Sequence, residues 1–113
     1  MADISQRRTA QGLDCRVIAL ASGESVTIHF KEIVAWGSGG ISWTIDGAED
    51  ADYEVKVEHS LTPEGDNWVE DSESPFDEPS QGVEEFRIER IRFTNTGANV
   101  EIVVMSPAKM DVT

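Results

Sequence analysis

The sequence predicts an all-β domain: an antiparallel β-sandwich, jelly-roll-like, with about eight strands. Three observations carry that expectation. Short runs of alternating apolar and polar residues recur along the chain, as half-buried strands require. Clusters of Gly, Pro, Asp, Asn and Ser punctuate them at turn spacing. No amphipathic pattern of helical period persists for as much as three turns.

In order along the chain, Met1 to Gly12 has no apolar periodicity and reads as a flexible arm over residues 1–12. The sandwich domain is expected over 13–105. Leu13 to Ala21 is a first strand, with Leu13, Cys15 and Val17 on one side, and Ser22-Gly23-Glu24-Ser25 is a turn. Val26, Ile28 and Phe30 alternate with Thr27 and His29 in a second strand, and Glu32 to Trp36 is a short third strand or edge. The glycine-rich loop Gly37-Ser38-Gly39-Gly40 leads to Ile41, Trp43 and Ile45, alternating with Ser42 and Thr44. An acidic loop from Asp46 to Asp52 precedes Tyr53, Val55, Val57 and His59, the apolar parity of a fifth strand. Pro63 and Gly65 mark a turn before a short strand at Trp68-Val69, and Asp71 to Gly82 is a polar loop holding Pro75, Pro79 and Phe76. Glu85 to Met105 reads as a long hairpin turning at Asn95-Thr96-Gly97-Ala98-Asn99, with a β-bulge at Glu89-Arg90 where the apolar parity slips. Val100, Ile102 and Val104 face one way on the return strand, and residues 106–113 are a tail with Pro107 near its start.

The chain has 113 residues, one domain's worth, with 39% apolar and 27% charged residues. A thin two-layer core is expected, one that a partner could complete. The charge is lopsided: 22 acidic residues against 9 basic ones, net −13. Nucleic acid and anionic membrane are excluded as partners, because phosphates are repelled rather than neutralised. Solubility and repulsion between copies explain most of that acid. Arg7, Arg8 and Arg16 lie near the start, and Arg87, Arg90 and Arg92 lie on the long strand. Between Asp46 and Glu85 the only basic residue is Lys56. This suits a protein that docks by one end; chance spacing with local ion pairs is the plainer account. The single cysteine, Cys15, offers no internal disulfide and reads as a small buried apolar residue. No run approaches a membrane-spanning length, and the N-terminus lacks a signal-peptide core. The expected setting is a reducing compartment, or assembly there and departure with something larger.

No constellation carries obvious chemistry. Asp46, Glu49, Asp50 and Asp52 supply hard oxygen donors for calcium, but not at EF-hand spacing. Trp36 and Trp68 are candidate platforms for sugar rings, whereas Trp43 and Tyr53 fall on core parity. His29 and His59 make no metal signature, no G-x-S-x-G elbow is present, and the glycine loop has no lysine of a phosphate loop. Neither catalysis nor a cofactor is expected. Phe76, alone among acids, is either a folded-back plug or a partner anchor.

The segment Tyr53 to Asp71, an alternating strand leading through Ser60-Leu61-Thr62-Pro63-Glu64-Gly65-Asp66-Asn67-Trp68 into a short strand, resembles small tailed-bacteriophage virion proteins. There the turn has a Ser-x-Asp-Gly-x-x-Trp form, and here it is longer and altered. Phe86 to Val104, an Arg-rich strand followed by Thr94-Asn95-Thr96-Gly97, is similar to such proteins too. The resemblance covers about half the chain, and the same turn occurs in discoidin-like and sugar-binding sandwiches. It implies a non-enzymatic capsid decoration (cement) protein that binds the major capsid protein on the phage head. Such a protein is a homo-oligomer on the particle, part of the virion and assembled in the host cytoplasm. Terminal arms ordering on neighbouring subunits would widen its interface. The partner-binding residues expected on this reading are Arg7, Arg8, Phe76 and Trp36. A carbohydrate-binding β-sandwich module is the alternative.

Overall fold

The computed structural model describes residues 2–9, 12–33, 40–84 and 88–113. Among these residues ten strands form: β1 (Asp3–Arg8), β2 (Asp14–Leu20), β3 (Ser25–Ile33), β4 (Ile41–Gly47), β5 (Val55–Ser60), β6 (Val69–Glu70), β7 (Ser80–Glu84), β8 (Arg90–Asn95), β9 (Val100–Ser106) and β10 (Ala108–Val112). They make two five-stranded antiparallel sheets, in the order β1-β2-β9-β4-β7 (sheet A) and β10-β3-β8-β5-β6 (sheet B). Among the described residues there is no helix.

The strand pairing is nested. β2 pairs with β9, β3 with β8, β4 with β7, and β5 with β6. A ribbon folded double at β5–β6 and rolled across itself gives this pattern, which is the jelly roll. The all-β jelly-roll-like sandwich expected from the sequence is therefore what the chain forms. The eight strands β2 to β9 make the roll, and β1 and β10 extend one sheet each at the same side.

The alternation read from the sequence places the core. Ile41, Trp43 and Ile45 of β4 face Val55, Val57, Ile91 and Phe93 across the sandwich, and all are buried. The Trp43 ring meets Phe76 edge-on at 5.2 Å and Phe93 at 5.8 Å, a favoured aromatic geometry. Gly82, opposite Trp43 on β7, leaves room for the indole: any side chain there would run into the ring. Phe76 is the folded-back plug and not a surface anchor. Its backbone exchanges two hydrogen bonds with Val55, 2.9 and 2.8 Å, so the 71–79 loop is tied to the edge of β5 and its one apolar side chain turns inward.

Several expectations are corrected. The long C-terminal hairpin is not a ladder, since β8 lies in sheet B and β9 in sheet A. The connection between them bonds elsewhere: the amides of Thr96 and Ala98 donate to Glu54 and Asp52 (2.9 Å each), and the Asn95 side-chain amide donates to the carbonyls of Leu20 (3.1 Å) and Ala98 (2.9 Å). Alternation says which side chains are buried, not which strand lies alongside. Glu32 belongs to β3, not to a separate strand. The start of the long strand, residues 85–87, lies outside the described residues. The slip at Glu89-Arg90 has the geometry of a bulge. Ser60 stands in register with Arg90, yet its carbonyl accepts from the Glu89 amide at 2.9 Å.

The arm and the tail are strands as well. β1 lies in full register along β2, from Asp3↔Ala19 to Arg8↔Asp14, and β10 runs along β3. An edge strand needs only a few inward apolar residues, which is why neither end shows a long pattern: Ala108 and Met110 suffice for β10. Polar contacts supply the rest. The Asp14 carboxylate, buried on β2, accepts from the Met110 amide of β10 (2.9 Å), the Gln6 side chain of β1 (3.1 Å) and Arg16 Nε (3.3 Å). Arg16 also donates to the Met110 carbonyl at 2.8 Å.

Burial alone would raise the Asp14 pKa, but the Met110 amide, Arg16 and Gln6 outweigh it and hold the carboxyl below the ordinary value of 3.8. The resulting stabilisation is complete above pH 3.8 and is lost as pH falls through the lower, folded-state value. Asp14→Ala is expected to cost about 3 kcal/mol at neutral pH, because three donors lose their acceptor inside the edge. Urea unfolding checks it, and the gap from the native chain should narrow on acidification; a loss below about 1 kcal/mol would show that the ends are held without this carboxylate.

Candidate docking face

In sheet A the inward parity is occupied by core residues, so the opposite parity forms the sheet's outer face. Strand register assembles that face in rows. One row runs Arg7, Cys15, Met105, Ser42, Val83 across β1, β2, β9, β4 and β7. The next runs Ser5, Val17, Val103, Thr44, Gln81 across the same strands. These ten positions hold one charged side chain, Arg7, in a chain with 31 residues of Asp, Glu, Lys and Arg. Acid returns only in the third row, with Asp3, Glu101 and Asp46. Val83 is 71% exposed, while Val17, Val103 and Met105 are half-buried by their neighbours. Depletion of charge around exposed apolar groups is the compositional mark of a protein-binding surface.

The outer face of sheet B is the reverse. Five of the nine basic residues, Lys31, Lys56, Arg90, Arg92 and Lys109, lie on its strands. Arg92 and Lys56 both reach Glu58, at 2.9 and 3.6 Å, and Lys31 pairs with Asp111. Arg90 is buried beneath the β5–β6 loop, donating to the carbonyls of Thr62 (2.8 Å) and Gly65 (3.0 Å) and to Ser60 Oγ (3.2 Å). Trp68 closes over this network, with the guanidinium carbons of Arg90 and Arg92 at 4.3 and 4.1 Å from its ring centre. These are cation–π contacts that pin the loop. Trp68 is thus a cap held by two arginines.

Of the sequence-derived partner residues, the described ones do not form one cluster. Arg7 stands in the first row of the neutral face, and Arg8 follows it on β1 in register with Asp14. Phe76 is in the core, and Trp36 lies outside the described residues. Cys15 is buried as expected, but on the outer parity of β2, with Asp14, Ile18 and Leu20 turned inward. Burial and the charge of Asp14 push its thiol up, against the pull of Arg7, so it is a poor nucleophile at neutral pH. His29 and His59 stand on different faces, and among the described residues no three His, Cys, Asp or Glu side chains converge to hold a metal ion. The neutral face had a sequence signal in β9, where Val103 and Met105 interrupt the polar parity opposite Ile102 and Val104, the pattern of a strand covered on both sides.

No protein-family model matches the sequence, and no curated protein does. Among solved structures, the chain is similar to the CBM22-1 and GH10 modules of the N-terminal endo-1,4-β-D-xylanase 10B of Clostridium thermocellum, complexed with xylohexaose. The match has 7% identity and a TM-score of 0.34, covering 93% of this chain and 24% of that one. So distant a likeness carries no argument about function.

If the neutral face is free surface rather than core, charge is tolerated there. Val83→Asp and Thr44→Lys are each expected to change the unfolding free energy by less than about 1 kcal/mol. Val104→Asp, on the inner side of β9, should cost more than about 3 kcal/mol. Urea titrations of the three variants test this; a large loss from Val83→Asp would mean that the face is part of the folding core.

Proposed function

We propose that the chain is a non-enzymatic structural protein of a tailed-bacteriophage particle. On this reading it is a capsid decoration protein, seated on the outside of the head and stabilising it. The observation that carries the proposal is the pair of adjoining rows on the outer face of sheet A, ten positions with Arg7 as the one charged residue, in a chain of net charge −13. Such a face desolvates at little cost against another protein. The charged face of sheet B then looks to water. The resemblance of Tyr53 to Asp71 and of Phe86 to Val104 to virion proteins supports the choice of partner, the major capsid protein. Jelly rolls also recur in viral shells.

The mode of attachment differs from arm clamping. Residues 3–8 and 108–112 are already ordered as strands on the domain itself, so docking by these ends would first have to strip them away. Arg7 takes part as one corner of the sheet A face. Copies repeated over a lattice bind more firmly than one contact allows, and the particle-bound state is a homo-oligomer in that sense.

Mass spectrometry of density-banded particles measures the copy number against the major capsid protein. A near-integer ratio is expected, with the double variant Val83→Asp/Thr44→Lys folded yet missing from the particles. Absence of the native chain from particles would sink the proposal, and a glycan array would then test the carbohydrate alternative.

A further inference from the structure

A pocket of about 460 Å³ opens at one end of the sandwich, between the β4–β5 connection and residues 77–79. Five carboxylate side chains line it: Asp46, Glu49, Asp50, Asp77 and Glu78. No basic residue is among the described lining, and none of the five forms an ion pair with a described residue. An acidic rim alone is only a solvated loop. The wall, however, holds Tyr53, which is 4% exposed and whose hydroxyl has no hydrogen-bond partner among the described residues. A buried hydroxyl without a partner is costly and is rare in folded proteins.

The chain holds that ring in place. Gly47 lies beneath it, and a methyl group there would sit 2.6 Å from Tyr53 Cε1. On the other side the amides of Thr96 and Ala98 grip Glu54 and Asp52, fixing the backbone around Tyr53. Burial, followed by the charges of Asp46, Glu78 and Asp77, pushes the phenol pKa up, so the group stays a neutral hydroxyl among acids from both loops.

We propose that this pocket binds an organic cation, an alkyl ammonium or guanidinium group, with the Tyr53 hydroxyl as a neutral acceptor among the carboxylates. Because no described set of three carboxylates converges as metal ligands do, the charges suit an extended cation better than a point ion. Ala48, Ala51 and Pro79 line the same pocket and offer apolar surface to the alkyl stem of such a group. The cation is either a free polyamine or the lysine or arginine side chain of another protein. The pocket adjoins the outer face of sheet A at Asp46, in its acidic third row, and uses none of the ten positions of the two neutral rows.

Calorimetric titration of the full chain tests it, with spermidine, Nα-acetyl-lysine amide, Nα-acetyl-arginine amide and calcium chloride as probes. Saturable one-to-one binding of at least one organic cation is expected, with Kd about 1 mM or tighter. Tyr53→Phe keeps the ring and removes the acceptor, and should weaken binding about tenfold, as should Asp77→Asn/Glu78→Gln. The control Glu64→Gln/Asp66→Asn removes the same charge from the exposed β5–β6 loop, at the far end of β5, and should leave affinity unchanged. Spermidine binding tighter than the amino-acid amides supports the pocket with a free polyamine as occupant; the reverse supports it with a protein side chain. No saturation, equal loss in the control, an unchanged Tyr53→Phe, or tighter calcium than organic-cation binding would each overturn the proposal.

Discussion

Asp14 sits where three strands meet. Its carboxylate gathers the Met110 amide from sheet B, Gln6 from β1 and Arg16 from its own strand, and Arg16 returns to the Met110 carbonyl. Both ends of the chain are tied at this point, which adds polar contacts to the strand ladders and to the few inward apolar residues of β1 and β10. At the corner between β9 and β10, Ser106 Oγ accepts from the Ala108 amide at 2.9 Å and sets the course of β10 toward Asp14. A carboxylate in such a place would be expensive without its donors. With them, it closes one side of the sandwich.

The opposite side is closed differently. β6 contributes only two residues, and the chain then runs back along β5 through Phe76, whose ring meets Trp43 inside. With one side sealed by a polar clamp and the other by an aromatic plug, the broad outer faces are the large regular surfaces left for a partner. They differ in character: sheet B pairs its charges and carries a pinned loop, while sheet A offers two rows of Val, Met, Ser and Thr with one arginine at the corner, bordered by an acidic third row. Edge strands that are short or tied down also discourage strand addition between copies.

Much of the core was legible in local alternation. Ile41, Trp43 and Ile45, or Val100, Ile102 and Val104, announce their burial by spacing of two, and the jelly-roll class follows from their number and the turns between them. Partnership was not legible. Thr94-Asn95-Thr96-Gly97 has the composition of a hairpin turn, and only the distant acceptors at Asp52 and Glu54 reveal that it crosses between sheets. The ends escaped notice because an edge strand can be held by one acid whose donors lie up to 96 residues away. The neutral face was hidden for a related reason: its rows join residues from β1, β2, β9, β4 and β7, and no sequence window contains them. The acidic loop was visible as composition, but the unpaired hydroxyl that gives it interest depends on Gly47 and on the loop at 77–79.

The nested pairing orders the entropy of folding. His59 and Val69, partners in β5 and β6, are close in the chain, whereas Asp14 and Ser106, partners in β2 and β9, stand near opposite ends. Closing a loop costs more the longer it is, so the innermost pair is the cheapest nucleus and each further layer is nearly paid for by the one inside it. Zippering from the β5–β6 bend outward would make this a slow folder among domains of its size. Mutational φ-values would then be highest around that bend and lowest at β1 and β10; a reversed gradient would rule that order out.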